Sequence, residues 1–159
     1  MTWTLRYANE QGRDYFIVDA KPYMPDIVKP LVGPSREEGF GNMTKLYNHW
    51  VDGSSTFDQP GERLLAAVTK GEDGLATLGV GGLKQCYEMP GAMRVNRFYV
   101  IPFVRRMGIA SALAKELIDQ AQPGKITCNS HPTAFPFWES LGFKRQDGPG
   151  EITHVMDIL

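Results

Sequence analysis

The sequence predicts one mixed α/β domain with elements in the order β-α-α-β-β-β-α-β-α-β. Three observations predict it. The first third carries an apolar stripe at helical spacing, and the middle holds apolar runs broken by tight Gly/Pro/Asp turns. The last third alternates strand-like and helical segments. A chain of 159 residues is the length of a single domain, and neither a repeat nor a linker divides residues 1–159.

Taken in order, Thr2–Ala8 reads as a strand, and Asn9-Glu10 as the start of a helix reaching about Ala20 with Tyr15, Phe16 and Ile17 as its apolar surface. Pro22, Pro25, Pro30 and Pro34 argue for a shaped loop over 21–34. Ser35-Arg36-Glu37-Glu38 looks like a fresh helix N-terminus. Met43, Leu46, Tyr47, Trp50 and Val51 then mark one helix face, closed by Asp52-Gly53. Arg63–Thr69, Leu75–Cys86 and Met93–Ile101 are apolar runs separated by Lys70–Gly74 and Pro90-Gly91, the pattern of an antiparallel meander. Gly79-Val80-Gly81-Gly82 lies inside one of these strands and opens no helix, so it reads as close strand packing and not as a dinucleotide loop. A helix over Gly108–Gln120, a strand over Lys125–Asn129, a short helix over Ala134–Leu141 with Gly142 at its cap, and a strand over Ile152–Leu159 complete the order.

Composition removes several classes. Lys plus Arg (17) nearly cancels Asp plus Glu (18), which argues against a nucleic-acid binder. Cys86 and Cys128 form no CxxC, and no signal-peptide pattern or long apolar run is present, so a cytoplasmic protein without a membrane partner is expected. His49, His131 and His154 lack metal-ligand spacing, and no metal is expected.

The segment Arg105-Arg106-Met107-Gly108-Ile109-Ala110-Ser111 follows a strand and opens a helix. The first turn of a helix offers unpaired N–H groups and the positive end of its dipole, and the small residues allow a bulky anion to approach. Ile109, Ala110, Leu113, Ala114, Leu117 and Ile118 give the helix a face to bury. Those residues alone leave a phosphate loop and an ordinary strand-turn-helix equally open.

Arg105-x-x-Gly108-x-Ala110 resembles the coenzyme A pyrophosphate motif of the GNAT superfamily of N-acetyltransferases. Ala134-Phe135-Pro136-Phe137-Trp138-Glu139-Ser140-Leu141-Gly142-Phe143 resembles that family's next motif. The resemblance implies a mixed, mostly antiparallel central sheet flanked by helices, acetyl-CoA as co-substrate, and transfer of an acyl group to an amine of a small molecule or peptide. It implies that Phe98, Tyr99 and Val100 run beside the pantetheine arm, and that Arg105, Arg106, Met107, Gly108, Ile109, Ala110 and Ser111 hold the pyrophosphate. Phe137 should pack near the thiol, in a gap between the strands at 93–101 and 125–129, with Asn129 as a further contact. Homodimers are common in the family.

Chemistry adds a demand for proton transfer. An amine of pKa about 10.4 is mostly protonated at neutral pH, so only about one molecule in a few thousand can attack. The family's usual tyrosine acid is replaced by Trp138, whose indole donates but does not titrate. His131, Tyr99 and Cys128 are the candidate catalytic groups, with Tyr87 and Glu88 nearby in sequence. Tyr47, His49 and Trp50 are candidate acceptor contacts, and Glu37 and Glu38 candidate binders of a cation. A binding-only domain that kept the loop and lost the proton chemistry is the alternative.

Overall fold

The structure is a computed structural model that describes residues 4–8 and 14–159. Strands β1 (Thr4–Ala8), β2 (Asp14–Asp19), β3 (Arg63–Gly71), β4 (Gly74–Gln85), β5 (Met93–Val100), β6 (Gly124–Cys128), β7 (Lys144–Arg145) and β8 (His154–Ile158) form one sheet in the order β1-β2-β3-β4-β5-β6-β8-β7. All neighbours are antiparallel except β5 and β6. Helices α1 (Lys29–Glu37) and α2 (Asn42–Val51) belong to one face, and α3 (Ile109–Gln120) and α4 (Phe135–Ser140) to the other. The mixed, mostly antiparallel sheet flanked by helices is therefore as expected.

Three elements differ from the sequence reading: β7 is a two-residue strand that was not expected and pairs with β8, and the other two each have a physical reason. Residues 14–19 are a strand, not a helix. Tyr15 and Ile17 enter the core beneath α3, while Phe16 and Val18 enter the core beneath α1 and α2. Four consecutive apolar residues suit a strand covered on both faces, whereas a helix would point them in several directions. Asn9-Glu10 lies outside the described residues. The second difference is α1, which occupies part of the segment read as a proline loop. Pro30 sits in the first turn, where its missing N–H costs nothing, and Pro34 deprives only the Pro30 carbonyl of a donor. Leu31 and Ser35 are buried one turn apart. Ser35–Glu38 is thus the end of α1, not a start. Gly39, at φ 83°, closes it with Phe40 N–H on the Ser35 carbonyl (2.9 Å) and Gly39 N–H on the Arg36 carbonyl (2.9 Å).

The glycine run of β4 is explained by crowding. A Cβ on Gly79 would lie 2.8 Å from the Tyr99 carbonyl oxygen, one on Gly81 2.7 Å from the Phe98 ring, and one on Gly82 2.4 Å from the Phe57 ring. These glycines bring β5 close to β4 and hold the geometry of the strand on which the site is built.

Candidate active site

β5 and β6 pair in parallel only at Met93 with Ile126 and Arg94 with Thr127. Beyond Arg94, the edge of β5 that faces β6 has no strand partner among the described residues, and its backbone groups must be satisfied some other way. A β-bulge lies along the same stretch. Val80 faces Tyr99, but Gly82 faces Asn96, so Arg97 and Phe98 together oppose Gly81. Arg97 takes a left-handed φ of 57° to make this possible.

β5 leads into the loop at 101–108. A 3-10 turn over Pro102–Val104 buries Val104, after which Arg106 (φ 66°) and Gly108 (φ 84°) are both left-handed. The Arg105 N–H is taken by the Pro102 carbonyl (3.2 Å) and the Met107 N–H by the Val104 carbonyl (3.4 Å). The first helical hydrogen bond of α3 is Ala112 N–H onto the Gly108 carbonyl (3.0 Å). The amides of Ile109, Ala110 and Ser111 precede that bond and lie at the positive end of the α3 dipole. No atom lies within 4 Å of a Cβ placed on Gly108, so the space before those amides is open. Ile109 is buried beneath and fixes the turn.

The side chains of this loop do less than the sequence implies. Arg105 is not a free cation. Its guanidinium makes paired bonds to Glu38 (2.6 and 2.8 Å), its Nε donates to the Val100 carbonyl (3.0 Å), and it stacks on Tyr99 at 5.5 Å. Tyr99 also donates to Glu38, at 2.5 Å. Glu38 thereby ties the end of α1 to both β5 and the loop. The Arg105 bond holds its carboxyl below the usual glutamate range. Arg106 is exposed.

Of the catalytic candidates, Tyr99 is buried with its hydroxyl held by Glu38, and burial first, then that bond, pushes its phenol well up. It stays protonated, with its one proton engaged. Cys128 is buried, and burial pushes its thiol up to about 12. Neither suits proton transfer at neutral pH. His131 is exposed, its Nδ1 held by Thr133 Oγ1 at 2.9 Å. Asn129, at the end of β6, donates to Glu151 (3.2 Å). Phe137 is half-buried and packs on Phe98, with ring centroids 6.0 Å apart, while Trp138 is buried against Phe98, Phe137 and Phe143 as part of the core. Tyr87 is exposed, and Glu88 accepts the Glu151 N–H at 2.6 Å.

Helix α2 approaches the bulge by its N-terminus, not by Tyr47, His49 or Trp50. Asn42 Nδ2 lies 3.4 Å from the Phe98 carbonyl, and Trp50 is about 12 Å farther along the helix axis at 1.5 Å per residue. Tyr47 packs on the α1–α2 core. Sequence reading did not single out Asn42 and Arg97, and nothing in the residue types marks them, because α2 and β5 carry other polar residues as well.

The family comparison supplies the class. The acetyltransferase (GNAT) domain family matches residues 47–157, and the chain belongs to that family. The family's general activity is acyl transfer from an acyl-CoA. No curated protein matches the chain. Among solved structures, a protein from Exiguobacterium sp. 255-15 assigned as an acetyltransferase is similar over 99% of this chain and 93% of its own, at TM-score 0.71 and 23% identity. One from Pyrococcus furiosus, assigned likewise, is similar over 84% and 95%, at TM-score 0.61 and 18% identity. An aminoglycoside 6'-N-acetyltransferase complexed with coenzyme A is similar over 99% and 97%, at TM-score 0.59 and 15% identity. At these identities the likeness is one of fold. Among the described residues, no helix is long and apolar enough to cross a membrane.

Proposed function

We propose that this chain transfers an acetyl group from acetyl-CoA to an amine of a small molecule or peptide, by direct attack of the amine on the thioester in the gap between β5 and β6. The observation that carries it is the helix-α3 turn, with amides ahead of the first helical hydrogen bond and open space before Gly108. The pyrophosphate would rest on the amides of Gly108–Ser111, with Arg106 adding exposed charge. Toward β6, the Val95–Val100 edge of β5 has no strand partner among the described residues, and the pantetheine amides would pair with it as an added strand does. Phe98, Tyr99 and Val100 contribute backbone there, and Phe137 lies behind Phe98 toward the thiol end. Met107 and Arg105 shape the loop, and Asn129 lies on the opposite bank.

In the reaction the amine nitrogen bonds to the acetyl carbon, the carbon–sulfur bond breaks, and coenzyme A leaves as a thiolate that takes up a proton. The amine gives up its proton to solvent or a base. His131 is the candidate whose ring is accessible, and a thiol of pKa about 8.5 is a tolerable leaving group even without a dedicated acid. Calorimetry with acetyl-CoA tests the donor site directly, and no binding at millimolar concentration sinks the proposal.

A binding-only domain is the second reading, favoured by Trp138, whose buried indole supplies no acid. Thiol release from acetyl-CoA that depends on any amine in a broad screen would exclude it.

A further inference from the structure

Four lysine and arginine side chains are half-buried among the described residues: Lys21, Lys84, Arg94 and Arg97. Lys21 is paired with Asp58 at 2.6 Å. The other three lie together on β4 and β5, and none has a carboxylate within ion-pair distance among the described residues. Lys84 and Arg94 are direct cross-strand partners. Leu83 and Val95, their neighbours in the ladder, enter the core beneath α3, so Lys84 and Arg94 share the opposite face, the face of α1 and α2. Like charges directly opposite on adjacent strands are destabilising, and here only rings and a hydroxyl attend them. Lys84 Nζ lies 5.0 Å from the Phe57 ring and donates to Ser55, while Arg94 stacks on Tyr87 at 5.5 Å.

Arg97 is the stronger anomaly. It occupies the left-handed bulge position that glycine would fill without strain, half-buried and with no anion. Burial, then the charge of Arg94, lowers its guanidinium pKa from the ordinary value. The carboxylates of the adjoining turns are engaged elsewhere, Glu88 with the Glu151 amide and Glu151 with Asn129. One residue along, the Phe98 carbonyl accepts from Asn42 Nδ2, which fixes the orientation of that amide. Asn42 Oδ1 is then left enclosed with no donor. Arg97, with no carboxylate within ion-pair distance among the described residues, and the Phe98 carbonyl on which the donor-less Asn42 side chain rests therefore lie one residue apart on the strand that borders the gap.

Resting on the acyl-transfer reading, we propose that the acceptor is a carboxylate-bearing amine, its carboxylate held by Arg97 with Arg94 beside it, and its amine N–H given to Asn42 Oδ1. A guanidinium on a strand edge can take a carboxylate through two parallel bonds, and an amine at Asn42 is brought beside the bulge, where β5 parts from β6. The same cations disfavour polyamines and other acceptors with extra positive charge.

The test compares ω-amino acids of increasing length with their matched n-alkylamines and diamines, read as kcat/KM by coenzyme A release. At least one amino acid should exceed its alkylamine by tenfold or more. Arg97→Gln should collapse that ratio toward one through KM for the amino acid, with the Kd for acetyl-CoA retained as proof of fold. Arg97→Lys should keep part of the preference. Asn42→Leu should raise KM for amino acid and alkylamine alike. Alkylamines or diamines used as well as amino acids, or an unchanged ratio in Arg97→Gln, overturns the proposal. Should no amine be acetylated, calorimetric titration of the coenzyme A complex with the same amino acids reads the site alone. Binding lost in Arg97→Gln supports the anion site and removes only the acyl-transfer reading, and absence of binding removes the anion site.

Discussion

The proposed donor loop follows the end of β5, the proposed acceptor face is borne on the same strand, and the two are built from different materials. At the loop, side chains turn away or are committed: Val104 and Ile109 are buried, and Arg105 is pinned to Glu38. Arg106 is exposed, and the open space before Gly108 is bordered by main chain. On the acceptor face the backbone is locked in the ladder with β4, and the unsatisfied groups are side chains, Asn42, Arg94 and Arg97. A main-chain site recognises a phosphate whatever residues decorate it, so it suits a donor shared across a family. A side-chain site can be rewritten one residue at a time, so it suits an acceptor that differs from protein to protein.

The largest expected effect comes from filling the open space of the main-chain site. Gly108→Glu places bulk and negative charge before the α3 amides, and acetyl-CoA affinity should fall at least about a hundredfold, roughly 2.7 kcal/mol. Gly108→Asn sharpens the comparison, because asparagine tolerates the left-handed φ of 84° and carries no charge. It should bind within about tenfold of the parent. If both variants bind equally poorly, the loop reads bulk and not charge. The next effect disturbs the shared strand from beneath. Gly79→Ala sets a methyl 2.8 Å from the Tyr99 carbonyl oxygen and from Val100 Cγ2. Overpacking of this kind should cost about 1–3 kcal/mol in urea unfolding, and acetyl-CoA affinity should fall with it, since the β5 edge shifts.

The same division explains what could be read in advance. The turn that opens α3 was legible because Gly108 and Ala110 are small residues at its start, where the structure leaves the backbone uncovered. The antiparallel meander from Arg63 to Val100 was legible because tight turns punctuate it. Residues 14–37 misled for two reasons. A strand covered on both faces has no period, and prolines in a first turn look like loop prolines until Leu31 and Ser35 are seen buried. The proposed acceptor face was illegible. Asn42, Arg94 and Arg97 are far apart or unremarkable in sequence, and a bulge at Arg97 leaves no mark on residue types. Tyr47, His49 and Trp50 sit on the expected helix, but its other end meets the strand.

The Glu38 bridge joins the two regions, and breaking it should affect both slightly. Glu38 has a carboxyl pKa lowered by Arg105, so its contribution is fully present above the unfolded glutamate value of about 4.3 and is lost as pH falls through the lower folded value. Glu38→Gln removes the charge and keeps an acceptor for Tyr99. The parent should exceed it by about 1 kcal/mol near pH 7, about 2–4 °C in Tm, given that Arg105 is partly exposed. That gap should narrow as pH falls below about 4.3 and close once pH is below the folded value. A gap that does not change with pH would assign Glu38 a packing role only.

The smallest effect is expected at Cys128, although it ends the strand bordering the gap. With the thiol pushed up to about 12, about one molecule in ten thousand carries a thiolate at pH 8, and the sulfur is also buried. Alkylation of the native protein by iodoacetamide should therefore be far slower than that of a free thiol, and Cys128→Ala should hold kcat within about twofold. A catalytic sulfur would show the reverse, a fast alkylation that acetyl-CoA blocks and a large loss of kcat. The side of the β6 strand facing the α3 core would then have to be counted as part of the site, and the division between a main-chain donor bank and a side-chain acceptor bank would no longer hold.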